Sequence, residues 1–218
     1  MTPQAEPVPI TPYSGTLWAG TRVGILGGSF NPAHDGHLYI SRLALAALAL
    51  DWVWWLVSPQ NPLKQGTEMA PLAVRLERAA AVADHPRIVP TGLETALGTR
   101  YTADTLAALV ERFPRTRFIW LMGADNLRQL PRWDRWTRIF HTVPIAVFDR
   151  PPYSSRVLGG LAARRFADRR LTGPRAGKTL AEATPPAWVY LHNRPHPASA
   201  TEWRRRHGGP PGRRAAGV

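Results

Sequence analysis

Short apolar runs alternate along the chain with longer stretches whose apolar residues recur at helical spacing. "RVGILG" at 22–27 predicts a strand, and the Ala- and Leu-rich "HLYISRLALAALAL" at 37–50 predicts a helix. "WVWWLV" at 52–57 reads as a buried strand ended by Pro59 and Pro62. "PLAVRLERAAAVAD" at 71–84 reads as a helix with Pro71 in its first turn. A short third strand, "RIV" at 87–89, precedes the helix "TADTLAALVERF" at 102–113, for which Thr102 has the chemistry of an N-cap. Next come the strand "RFIWLMG" at 117–123, a helical stretch, and the strand "VPIAVFD" at 143–149. "SRVLGGLAARRF" at 155–166 is a weak helix, "AWVYL" at 187–191 a last strand, and "SATEWRRR" at 199–206 the start of a terminal helix. Parallel neighbours need crossover connections, so this alternation predicts an α/β fold: one doubly wound parallel sheet with helices on both faces.

Composition narrows the setting. The chain has 218 residues, 44% of them hydrophobic, enough to bury the core of a single domain. The most apolar stretch, "LALAALALDWVWWLV", is interrupted by Asp51, so no membrane span is expected. "MTPQAEPVPITPYSG" has neither a basic residue nor an apolar run of signal-peptide type, which favours a cytoplasmic protein. Cysteine is absent, which excludes disulfides, thiolate metal sites and a cysteine nucleophile.

The net charge of +13 first suggests nucleic acid. Its distribution argues otherwise. Five arginines fall in the Gly/Pro-rich ending "RRRHGGPPGRRAAGV", and the rest are spread through helices and loops. A basic surface serves small phosphorylated substrates equally well, so no nucleic-acid partner is expected. Residues 1–20 and 207–218 read as disordered tails around a domain at 21–206.

In the predicted fold, ligands bind beyond the carboxyl ends of the strands, near the point where strand order reverses. Three polar clusters follow strands: "GGSFNPAHDGH", "SPQNPLK" and "GADNLRQLPRWDRW". In the first, Gly27 and Gly28 let the backbone turn tightly and let a ligand approach without meeting a Cβ. Gly36 and His37 open the helix, where backbone amides and the helix dipole favour an anion, and two imidazoles add donors for phosphate oxygens. The order is neither GxGxxG nor GxxxxGK[ST]. The plain alternatives are a tight strand exit for the glycines and a cap or core role for a histidine. His34 and His37 as metal ligands lack the third protein ligand that zinc requires, and no protein metal site is expected.

"GGSFNPAHDGH" resembles the GGxFDPxHxGH signature of the HxGH nucleotidyltransferases, with Ser29 for the commoner Thr and Asn31 for Asp. "SPQNPLK", "RYTADTL" at 100–106, "MGADNLRQLPRW" at 122–133 and "SATEWR" at 199–204 are similar, in order and spacing, to motifs of bacterial nicotinate-nucleotide adenylyltransferases. The resemblance covers 21–206 and implies a Rossmann-like fold. It implies adenylyl transfer from ATP, with Mg²⁺, to nicotinate mononucleotide, a late step of NAD biosynthesis that releases pyrophosphate.

By the same resemblance His34 and His37 are catalytic and, with Gly27, Gly28, Ser29, Phe30 and Gly36, bind ATP. Ser199, Thr201 and Arg204 would take its β- and γ-phosphates, with Ala200 and Trp203 departing from the usual SSTxIR. Asn31, Lys64, Tyr101, Thr102, Asp125 and Trp133 would bind the second substrate. Lys64 would meet its phosphate, the backbone at Tyr101 and Thr102 its carboxylate, Asp125 a ribose hydroxyl and Trp133 the pyridine ring. The plainer readings are a solvated lysine, a simple cap at Thr102, a helix-terminal acid, and a helix face shared by Trp133 and Trp136. Trp52, Trp54, Trp55 and Trp120 read as core. The competing functions are a sister adenylyltransferase, with nicotinamide mononucleotide or phosphopantetheine as acceptor, and a basic nucleic-acid-binding protein.

Overall fold

The computed structural model describes residues 17–59, 69–149 and 156–193. The chain runs through Arg22–Gly28 (β1), Asp35–Ala47 (α1), Trp52–Val57 (β2), Leu72–Val82 (α2) and Ile88–Thr91 (β3). Leu93–Leu97 (α3), Thr102–Arg112 (α4), Arg117–Gly123 (β4), Ala124–Gln129 (α5) and Trp136–Thr142 (α6) follow. Ile145–Phe148 (β5), Leu161–Arg165 (α7), Ala176–Thr179 (α8) and Trp188–Leu191 (β6) complete the described elements, with short 3₁₀ turns between some of them. Every strand pairs in parallel, in the order β3-β2-β1-β4-β5-β6. The order reverses between β1 and β4, which opens a crevice at their carboxyl ends, where the segments after Gly28 and Gly123 diverge.

Alternation within each strand divides the core between the two faces. Val23, Ile25, Trp54, Leu56, Trp120 and Met122 pack under α3–α7, and Leu26, Val53, Trp55, Val57, Ile119 and Leu121 under α1, α2 and α8. β2 is apolar at every position because both of its faces are covered. Trp54 and Trp55 are fully buried, each removing on the order of 200 Å² from water. No helix of the described residues is long and apolar enough to cross a membrane.

Several expected boundaries move. Helix α1 begins at Asp35, two residues before the apolar run, because His34 caps it. Pro71 is the N-cap of α2 and Tyr101 that of α4, so Thr102 is the first residue of its helix and caps nothing. The weak helix at 155–166 is a 3₁₀ turn at Arg156–Gly159 and the short α7, split at Gly160. Leu17–Gly20, assigned from sequence to a disordered tail, form a turn; Trp18 packs edge-on against Trp52 and Trp54 at 5.3 and 4.9 Å. An indole at that position has apolar surface to bury, which holds the segment to the domain. The expected terminal helix at 199–206 lies outside the described residues.

Candidate active site

The segment from Gly27 to His37 lies at the reversal of strand order, between β1 and α1. Its two glycines have different causes. A Cβ at Gly27 would collide with the Trp120 indole, so this glycine serves core packing rather than ligand approach. At Gly28 a Cβ would meet only the Phe30 ring, at an ordinary 3.4 Å, and the Gly28 carbonyl accepts from Ser58 N at 2.9 Å. Phe30 has φ 45, and its ring is 2% exposed, stacked on Trp55 at 5.2 Å. Its side chain therefore belongs to the core, and any part it has in ligand binding falls to its backbone. Ser29 and Asn31 are half-buried beside it.

The two histidines cap α1 reciprocally. Gly36 N donates to His34 Nδ1 at 3.1 Å, and His34 N donates to His37 Nδ1 at 3.2 Å. His37 N also donates to the His34 carbonyl at 2.9 Å. The amides of Gly36 and His37, expected from sequence to meet phosphate, are thus occupied within the cap. The same bonds decide the tautomers. A ring whose Nδ1 accepts a backbone N–H carries its proton on Nε2 when neutral, which makes both Nε2 atoms donors. The ring centroids lie 3.9 Å apart, and His37 packs 4.6 Å from Phe30. Below them Trp55 Nε1 donates to Ser41 Oγ at 2.7 Å, and Ser41 donates to the His37 carbonyl at 2.8 Å, anchoring this turn to β2. The cap reading and the donor reading of these residues hold together.

A chain of contacts extends the site across the sheet edge. Glu94, 8% exposed, accepts from Thr105 Oγ1 at 3.1 Å and is hydrogen-bonded to the Ser58 side chain. Burial raises the Glu94 pKa above the ordinary carboxyl value, and these two hydrogen bonds pull it back in part. The Thr105 hydroxyl also lies 2.9 Å from Thr99 Oγ1 and shares its proton with the Tyr101 carbonyl at 3.2 Å, and Glu94, bonded to both Thr105 and Ser58, ties the start of α4 to the residue that follows β2. The Arg135 guanidinium lies 5.8 Å from the Tyr101 ring centroid and pairs with Asp104 at 2.6 Å, bringing the segment after α5 against α4.

Asp125 stands half-buried in the first turn of α5, at the carboxyl end of β4. Trp133 is not on a helix face with Trp136. It follows a 3₁₀ turn, left-handed Arg135 intervenes, and its indole sits edge-on to Trp120 at 6.5 Å. Trp52, Trp54, Trp55 and Trp120 pack in the core as the pattern indicates, Trp52 only in part. Lys64, Ser199, Thr201 and Arg204 lie outside the described residues.

Two residues of this edge escape sequence reasoning, Glu94 and Arg75. Arg75 is 1% exposed and donates to the carbonyls of Ser29 and Ser58 at 2.7 Å, Ala70 at 2.8 Å and Pro59 at 3.2 Å. Its neighbours in "LAVRLERAA" include Arg78, which has the same local signature. Among the described residues no group of three or more His, Asp or Glu is placed to hold a metal ion. A cavity of about 470 Å³ around Leu171, Pro174 and Thr179 lies near the amino end of β6, away from this edge.

A cytidylyltransferase-like family model matches residues 25–206. A "Probable nicotinate-nucleotide adenylyltransferase" of Parvibaculum lavamentivorans is 52% identical over 192 residues, 88% of this chain and 95% of the relative. One from Methylorubrum extorquens is 49% identical over 185 residues, 85% of this chain and all of the relative. The solved nicotinic acid mononucleotide adenylyltransferase of Plasmodium falciparum, complexed with NaAD, superposes with a TM-score of 0.64. It covers 85% of this chain and 83% of its own, and at 15% identity it speaks to the fold alone. Matched across nearly its whole domain by sequences of this kind, the chain belongs to the nicotinate-nucleotide adenylyltransferase family of cytidylyltransferase-like proteins.

Proposed function

We propose that this chain transfers the adenylyl group of ATP to nicotinate mononucleotide, as the name of its relatives indicates, at the carboxyl edge between β1 and β4. The observation that carries the reading is the paired imidazoles. With both Nδ1 atoms accepting backbone N–H groups, the neutral rings of His34 and His37, their centroids 3.9 Å apart, carry their protons on Nε2 at the reversal point. Such donors suit the α-phosphate and the bridging oxygen on which charge builds up.

In this reaction a phosphate oxygen of nicotinate mononucleotide attacks the α-phosphorus, and the bond from that phosphorus to the β-bridging oxygen breaks. Pyrophosphate leaves with the bonding electrons. The attacking phosphate is already anionic, so no general base is required, and catalysis rests on alignment and charge stabilisation. Mg²⁺ would enter with ATP as the MgATP substrate and would supply charge neutralisation at its phosphates. The Phe30 amide, the Ser29 hydroxyl and the histidines would contact ATP, joined by Gly28 backbone and by Ser199, Thr201 and Arg204. Lys64 would meet the acceptor phosphate, Asn31 and Asp125 polar groups of the acceptor, and Trp133 its pyridine ring. The backbone at Tyr101 and Thr102, at the amino end of α4, would take the carboxylate.

Pyrophosphate release and dinucleotide formation, measured from MgATP with nicotinate mononucleotide, nicotinamide mononucleotide and phosphopantetheine in parallel, test the proposal. Turnover is expected with the nicotinate acceptor foremost. Release with none of the three would sink the adenylyltransferase reading, and release with the nicotinamide form alone would overturn the carboxylate site.

A further inference from the structure

Arg75 is a buried cation that no carboxylate among the described residues pairs with. One turn into α2, its guanidinium instead gathers four main-chain carbonyls from three segments. Ser29 lies in the loop between β1 and α1, Ser58 and Pro59 follow β2, and Ala70 precedes α2. A planar fork of five donors suits such a set, which a single ammonium group could not satisfy in the same geometry. Burial pulls the Arg75 pKa below its ordinary value, a cost that these four bonds offset.

The bond to Ser29 has a consequence one atom group away. A trans peptide is planar, with its C=O and N–H directed oppositely. Arg75 Nη1 holds the Ser29 carbonyl at 2.7 Å, so the Phe30 N–H of the same peptide is turned to the opposite side. Phe30 also has φ 45, a left-handed conformation that a non-glycine residue keeps only when its surroundings over-determine it. Three contacts do so here: the Phe30 ring stacked on Trp55 and packed against His37, and Arg75 on the preceding carbonyl.

We infer that Arg75 is a positioning residue for adenylyl transfer, acting through the Ser29–Phe30 peptide to aim the Phe30 N–H at the reacting phosphate. The same clasp ties that loop to the connection between β2 and α2, in which Lys64 lies. The inference rests on the proposed reaction. Arg75 orients a donor whose bond strengthens as charge builds up on the phosphate and does not itself contact substrate, so the loss on substitution falls mainly in kcat, with KM for ATP little changed.

The test compares Arg75→Lys and Arg75→Gln in the full chain with Phe113→Leu, a core substitution at the C-cap of α4. kcat and KM for MgATP are expressed per folded molecule, with the folded fraction taken from thermal denaturation. R75K, which keeps the charge but loses the fork, is expected to lose about tenfold or more in kcat with KM within about twofold. F113L is expected to keep its kcat. R75K and R75Q kcat values within about twofold of wild type, or an equal loss in F113L, would overturn the inference.

A wild-type measurement stands apart from the variants. The Phe30 amide proton resonance is expected to move downfield on adding MgATP, and an unmoved resonance overturns the inference even where both variants fail to fold. A wild-type chain that forms no dinucleotide overturns the proposed reaction itself. An active wild type with an active R75K overturns only the role of Arg75.

Discussion

In the proposed reaction the two nitrogens of His37 would have separate tasks, one in structure and one in chemistry. Nδ1 accepts the His34 N–H and completes the cap of α1, while Nε2 carries the proton of the neutral ring. His37→Ala removes both. Loss of one charge-stabilising donor predicts a fall of roughly 10²- to 10³-fold in kcat/KM, read by pyrophosphate release. Loss of half the cap predicts about 1 kcal/mol of stability, read by denaturant unfolding. Near-normal turnover in the variant would remove His37 from the catalytic machinery. Glu94 makes a different residue-scale prediction, through pH. An unfolded glutamate ionises near about pH 4.3, whereas burial holds the Glu94 proton to higher pH in the folded chain. Between those two values the folded state binds more protons than the unfolded one, so stability falls as pH rises. The Glu94 contribution is full below the unfolded value and lost as pH passes through the folded one. Glu94→Gln removes this slope, so the melting temperature of the variant relative to wild type should climb as pH rises from the unfolded value through the higher folded one. A difference that stays flat across that range would refute the assignment.

At the scale of elements, the amino end of α4 allows helix stability to be separated from the carboxylate recognition proposed there. Thr102 is the first helical residue, and the N-cap Tyr101 makes no side-chain capping bond. Proline is tolerated at this position because the first N–H of a helix has no partner within it, and the extended Tyr101, at φ −108 and ψ 140, suits a following proline. Thr102→Pro therefore deletes the amide donor, and with it the Thr102 hydroxyl, and leaves α4 standing. The ratio of kcat/KM for nicotinate over nicotinamide mononucleotide should drop about tenfold, the worth of one hydrogen bond to a charged group, with the melting temperature nearly unchanged. Thr102→Val, which keeps the amide, is expected to hold the ratio and so separates the two. An unchanged ratio in Thr102→Pro would move carboxylate recognition away from α4. Helix α1 shows the converse arrangement. Its first-turn amides at Gly36 and His37 are already used by the cap, so the donors it presents are imidazoles rather than backbone.

Over the whole molecule, the net charge of +13 acts as a long-range field on anionic substrates. Raising salt from about 50 to about 300 mM shortens the screening length to less than half, so KM for ATP should rise severalfold while kcat changes little. A KM that ignores salt would assign binding to short-range contacts alone. Much of the architecture is legible in the chain itself, because a strand buried on both faces leaves an unbroken apolar run. "WVWWLV" and "RFIWLMG" match β2 and β4 residue for residue. The start of α1 is not legible because its cap is a histidine rather than Ser, Thr, Asp or Asn, and α3, five residues long, is too short to show a period. The histidine pair is visible because its residue types and spacing are local. Arg75 is not, because nothing within α2 distinguishes it from Arg78; only the loops from Ser29, Ser58 and Pro59 folding over it make it a buried clasp. Gly27 likewise reads as a ligand-approach glycine until Trp120, 93 positions on, occupies the space of its missing Cβ. The sequence by itself determined the alternation of strand and helix and which residue types follow each strand, since periodicity and side-chain chemistry are properties of neighbours along the chain. Only the tertiary structure decided the order β3-β2-β1-β4-β5-β6, the histidine tautomers and the carbonyls that Arg75 holds, since each depends on contacts between segments far apart in sequence.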